Sequence, residues 1–213
     1  MKMRPSQTWT FLLCFFILLP SACMRPSSAP RSVHYYTLNY PGAVVPIERA
    51  LPLVLRVERF NAAPPFNSQR IIYADKGSHR NAYTYFQWVA APGELIAFFL
   101  ARDLKHSRGF QAVLTPDTAL APTHTVTGWV EEFLEEDFSE PAQACASIHL
   151  LLIDARNPDP LRRILLQKSY RAKAPCGSKT PAALSEAMSA VMAELSVLMI
   201  QDIYERLSQT QQL

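Results

Sequence analysis

Between Glu94 and Arg108 the apolar residues Ile96, Phe99, Leu100 and Leu104 recur at steps of three, one and four, which places them on one face of a helix. Glu94 stands in the first turn and Lys105 and Arg108 in the last, each opposite in sign to the helix end it adjoins. Gly109 follows as the expected stop. The same spacing returns at Leu184, Met188, Val191, Leu195 and Leu198, after Thr180 as a cap and Pro181 in the first turn. This predicts a long closing helix, in which Met188, Met192 and Met199 read as core, with an adaptable binding surface as the alternative.

Elsewhere the period is two. Leu53, Leu55 and Val57 alternate with Arg56 and Glu58, predicting a half-buried strand over 53–60. Arg70 to Ala74 and Arg80 to Val89 flank Asp75-Lys76-Gly77-Ser78, the signature of a hairpin with a glycine in its turn. In its second arm, alternation puts Tyr83 and Tyr85 on one face and Phe86 and Trp88 on the other. Tyr35 to Leu38 and Phe110 to Leu114 read as short strands. Thr125 to Leu134, Ala144 to Asp154 and Leu161 to Ala172 read as three antiparallel strands, the last two joined by a turn around Pro158 and Pro160. The expected class is α+β: a single domain with a mostly antiparallel sheet packed by two main helices.

The N-terminus has a different pattern. Lys2 and Arg4 precede nine uninterrupted apolar residues, Phe11 to Leu19, and then Pro20-Ser21-Ala22. That order is a signal peptide over 1–22. The apolar run is too short for a permanent span, and no other window reads as long and apolar enough to cross a bilayer. Ser21-Ala22-Cys23 resembles a lipobox, in which the Cys23 thiol is acylated and becomes the new N-terminus; Pro20 departs from the aliphatic residue usual there. Ordinary cleavage near Ala22 is the alternative. Residues 23–33 form a lipidated N-terminus and linker, and 34–213 the domain. Met24 rather than Asp after the cysteine implies, by analogy with lipoprotein sorting, the periplasmic face of the outer membrane.

Composition narrows the function classes. The chain has 213 residues, 49% hydrophobic and 18% charged, which suits a globular domain and excludes a wholly disordered one. Its net charge is only +3, and Lys2 and Arg4 leave with the signal peptide, so a nucleic-acid partner is excluded. No Gly-x-Ser-x-Gly elbow, glycine-rich phosphate loop or zinc helix occurs, and His34, His79, His106, His124 and His149 are scattered. The expectation is a protein that is not an enzyme, with no cofactor and no metal site. Cys145 and Cys176, in an oxidising compartment, suggest a disulfide closing about 30 residues and contributing roughly 3 to 4 kcal/mol, with two reduced thiols as the alternative.

Two features are candidate partner-binding surfaces. One is the aromatic strand with Tyr83, Tyr85, Phe86 and Trp88, whose alternative reading is core packing. The other is the acidic run Glu131-Glu132-Phe133-Leu134-Glu135-Glu136-Asp137, with Glu135 and Glu136 at its centre, whose alternative reading is a solvated hairpin tip kept mobile by repulsion.

Cys23, Tyr35-Tyr36-Thr37-Leu38, Arg70-Ile71-Ile72-Tyr73, Tyr83 to Trp88 followed by Pro92, the helix to Gly109-Phe110, and Gly128 with Glu132-Phe133 occur in an order that resembles the ABC-type transport auxiliary lipoprotein family. The resemblance spans Tyr35 to about Leu207, with Gln87 as a departure. It implies a non-catalytic lipoprotein that docks on an MCE-domain periplasmic protein and its ABC permease and ATPase. Such a protein helps to move phospholipid or other hydrophobic molecules between the two membranes, held to its own membrane by N-terminal acyl chains; self-association stays open. An envelope lipoprotein that regulates a cell-wall synthase by contact is the rival reading.

Overall fold

The long strand β7, His124–Glu136, organises the sheet. A computed structural model describes residues 31–211; the signal peptide, Cys23 and most of the linker lie outside the described residues. Along one edge β7 pairs antiparallel with β8, Gln143–Asp154, which pairs antiparallel with β9, Ile164–Pro175. Its other edge is shared by three parallel partners in turn. These are β2 (Leu51–Val57) at residues 124–126, β3 (Asn61–Ala62) at 129–130 and β4 (Arg70–Ala74) at 134–136. Beyond β4 lie β5, Asn81–Trp88, and the edge strand β1, His34–Tyr36; beyond β2 lies β6, Phe110–Leu114.

The class is α+β as expected, but the sheet is mixed. Five pairings, β1/β5, β2/β6, β2/β7, β3/β7 and β4/β7, are parallel among the described residues. Only consecutive strands joined by short turns pair antiparallel here. Strands separated by a helix or long loop return in the same direction.

An irregularity between Val130 and Glu132 changes which residues of β7 face inward. Val126 and Val130 lie opposite Leu152 and Ile148, and beyond the shift Phe133 and Glu135 lie opposite Ala146 and Ala144. The inserted residue reverses the alternation, as bulges do. Gly128 sits in this strand because a Cβ there would collide with the His149 carbonyl oxygen and the Phe60 ring.

Two helices cover one face: α1, Pro92–His106, and α2, Pro181–Thr210. The Thr180 hydroxyl accepts from the Ala183 amide, capping α2 as its sequence predicts. By length and composition α2 could cross a bilayer, which corrects the expectation that no window beyond the signal peptide qualifies. It is a core helix instead: Leu184, Met188, Met192, Leu195, Met199 and Ile203 are fully buried against β8, β9 and their surroundings. Each such side chain contributes about 1.5 to 3 kcal/mol through removal from water.

The end of α1 departs from expectation. Arg108, not Gly109, takes the left-handed conformation, with φ 54°. Gly109 is needed for closeness, since a Cβ there would come within 2.5 Å of Ile47 Cδ1. Between the helices lies a fully buried carboxylate. Asp103 accepts from the Tyr40 hydroxyl at 2.9 Å, the Ser196 hydroxyl at 2.6 Å and the Arg102 guanidinium at 2.8 Å.

Candidate functional site

The hairpin of β4 and β5 turns at Gly77, whose φ of 51° suits a residue without a side chain. His79 bonds Asp75 across the turn at 2.7 Å. Strand β5 is not regular. Ile72 lies opposite Ala82 but Arg70 lies opposite Gln87, so β5 spends five residues where β4 spends two. The slack brings Tyr83 and Phe86 together, their ring centres 6.0 Å apart, and corrects the expectation that they occupy opposite faces. Tyr73, Tyr36 and His34 complete the cluster, with Tyr73 5.0 Å from Tyr83 and His34 stacked 5.7 Å from Phe86.

The candidate contact residues separate by burial. Trp88 is 1% exposed and meets Phe133 edge-on at 5.3 Å, so it is a core residue. Tyr83 and Phe86 are half-buried and pack against the core; Tyr85 is also half-buried. The Tyr83 hydroxyl donates to Glu135 Oε2 at 2.7 Å. Alternation alone cannot find this bond, because it depends on the bulge in β7 turning Glu135 inward.

The acidic run is not a bare negative tip. Glu135 is 1% exposed. Glu136 pairs with Lys173 at 2.6 Å, Glu132 with Arg171 at 2.8 Å, and Asp137 with Lys179 at 2.9 Å. Strand β9 and the turn after it bring these cations alongside, a long-range pairing with no local signal. The expectation of a tip held open by repulsion is corrected accordingly.

Burial raises the Glu135 carboxyl above the ordinary range, against the lowering effect of the Tyr83 hydroxyl. A raised folded-state pKa means that the native chain takes up a proton at a pH where the unfolded chain does not. Wild type should therefore gain stability relative to Glu135→Gln as pH falls from neutrality towards the ordinary glutamate value, and lose it as pH rises. Urea midpoints of both proteins at pH 7 and pH 5 check this; parallel shifts in the two would refute it.

The expected disulfide is absent: Cys145 and Cys176 are both free and buried. Cross-strand register puts Lys173 opposite Cys145, while the Cys176 amide bonds to Ala142, three residues further along. At about 3.4 Å per residue the two positions are too far apart to bridge. Their surroundings differ as well. Cys145 contacts Glu132 and Arg171, whereas Glu135 and Asp137 act on Cys176. Burial pushes both thiols up, Cys176 to about 11. Neither should react with Ellman's reagent in the native protein, and both should react in denaturant. A denatured chain with no titratable thiol and a mass lower by two hydrogens would refute this.

A feature absent from the sequence reading lies along α1. An open groove of about 530 Å³ has Val57, Ala97, Phe98, Ala101 and Pro116 among its apolar lining, and charged side chains, Arg102 among them, line it as well. Phe98 is 66% exposed. Its off-stripe position in the helical pattern was the one available signal. Among the described residues no group of three or more His, Cys, Asp or Glu side chains is placed to hold a metal ion.

A family model for the ABC-type transport auxiliary lipoprotein component matches residues 36–199. No curated protein matches the chain. Protein XCC0632 from Xanthomonas campestris has a similar solved structure, with TM-score 0.76 and 15% identity over 85% of this chain and 100% of that one. A second solved structure, of an uncharacterized protein, has TM-score 0.62 and 13% identity over 81% of this chain and 99% of that one. At such identities the likeness is one of fold.

Proposed function

The chain belongs to the ABC-type transport auxiliary lipoprotein family, and on that premise we propose that it is the non-catalytic, outer-membrane-anchored component of a transporter built on an MCE-domain protein. In this reading it helps to carry phospholipid or other hydrophobic molecules between the inner and outer membranes, with energy supplied by a separate ATPase. The observation that carries the reading is the extent of the match, which runs from the last residue of β1 to residue 199 and so takes in nearly all of the sheet, the whole of α1 and most of α2. Met24 after the lipobox cysteine supports the outer membrane as destination.

A role without chemistry of its own is supported by how the buried polar groups are used. Asp103 is engaged by Tyr40, Ser196 and Arg102, and Glu135 by Tyr83; neither carboxylate lines the groove along α1, although Arg102 does. The surface left for partners is what an adaptor needs.

Crosslinking in intact envelopes, purification through a C-terminal tag and mass spectrometry test the proposal, with wild type compared against Cys23→Ala. Recovery of an MCE-domain protein and its permease, reduced several-fold without the anchor, is the expected result. Recovery of a cell-wall synthase and no transporter component would overturn it.

A further inference from the structure

Strand β1 is the sheet's edge strand, and the chain enters it directly from the segment that carries Cys23. Its register with the neighbouring strands is fixed: Tyr35 lies opposite Gln87, and Gln87 opposite Arg70. His34 and Tyr36 contact Phe86, so alternation turns Tyr35 to the other face of the sheet. Apolar side chains collect there without cover. Tyr35 is 58% exposed, Val33 39% and Val89 46%, and Val89 is held beside β1 by its amide bond to the Tyr36 carbonyl. Arg70 is exposed at the far side of the same row.

Chain length identifies what can reach this surface. Val33 lies ten positions after Cys23, a stretch that spans at most about 35 Å when fully extended. The acyl chains thus keep the β1 end near one bilayer at high effective concentration. A tyrosine with an apolar ring and polar tip, flanked by valines and with an arginine nearby, has the chemistry favoured at the boundary between acyl chains and anionic headgroups.

We propose that the surface formed by Val33, Tyr35 and Val89, with Gln87 and Arg70 beside them, rests on the headgroup layer of the membrane that holds the Cys23 acyl chains. The contact fixes which way the domain faces, leaving the α1 groove and the β7–β8 tip free to meet a partner. It rests on the reading of the chain as an anchored lipoprotein.

The test uses the full lipoprotein, purified from membranes with its acylation verified by mass, in vesicles of phosphatidylethanolamine and phosphatidylglycerol. An environment-sensitive fluorophore is placed at Val89→Cys and, as control, at Leu161→Cys, which is 93% exposed in the β8–β9 turn. The Val89 label should shift to the blue and be quenched by lipids with a spin label near the headgroup, with quenching at least threefold greater than at Leu161. Adding Tyr35→Asp should remove most of that difference. Hydrogen exchange of unlabelled wild type should be slower at residues 33–36 in vesicles than in detergent micelles. Equal quenching at the two sites, with unchanged exchange in a protein of verified acylation, would overturn the proposal while leaving the anchor intact. A protein with an unmodified Cys23 would overturn the anchor and this proposal together.

Discussion

Replacing Asp103 with alanine is expected to lower the unfolding free energy by about 3 to 5 kcal/mol, the range for removing one partner from a buried charge pair. The carboxylate is fully buried between the two helices and satisfies two hydroxyls and a guanidinium. Its loss removes the ion-pair partner of Arg102, whose guanidinium stacks 4.3 Å from the Tyr40 ring centre and 4.7 Å from that of Phe99 and keeps a hydrogen bond to the Tyr40 carbonyl. It also strands the Ser196 and Tyr40 hydroxyls in a dry interface, and each unmet donor carries its own desolvation cost. Asp103→Asn should cost less, because an amide oxygen still accepts from a hydroxyl. Urea unfolding of the three proteins measures the difference. A loss below about 1 kcal/mol for the alanine variant would show that water or a side-chain shift replaces the carboxylate.

Trp88→Ala should cost about 3 to 5 kcal/mol as well, by a different route: the loss of a large buried ring and the cavity left against Phe133. The result separates two roles for the aromatic strand. A contact residue would weaken partner recovery while leaving the urea midpoint unchanged, whereas a core residue lowers the midpoint in the isolated protein. Tyr35→Ser, on the exposed face of β1, should change stability by less than about 0.5 kcal/mol. If Trp88→Ala matched Tyr35→Ser in stability, the packing described for β5 would be wrong.

The sequence was informative wherever a segment's fate depends on its own pattern. The Thr180 cap of α2, the strand from Phe110 to Leu114 and the turn at Gly77 are all local features, and the structure places them as the pattern predicts; in the apolar stripe of α2, Leu184, Met188, Val191 and Leu195 are buried as expected, but Leu198 is 41% exposed. Pairing direction was less legible. Leu55 meets His124, and Ile72 meets Leu134, through register that only the assembled sheet defines. The bulges in β5 and β7 were invisible for the same reason. An inserted residue leaves composition and approximate alternation intact, yet it reassigns Phe86 and Glu135 to different neighbours. The candidate residues thus proved chemically apt but differently employed: Trp88 builds the core, Glu135 meets Tyr83 inside, and Glu136 meets Lys173.

The shared edge of β7 also sets an order of assembly. Strands β7, β8 and β9 can pair with one another as a continuous antiparallel unit, each joined to the next by a short turn. The partners on the other edge must wait, since Val54 bonds to Thr123, 69 positions further along the chain. Closing so long a loop is slow compared with forming a hairpin. In a chain synthesised N-terminus first, β2, β3 and β4 emerge well before the strand that will receive them. For that interval their edges are open to any other extended chain, so correct assembly depends on the β7–β8 hairpin arriving before those edges find a different partner.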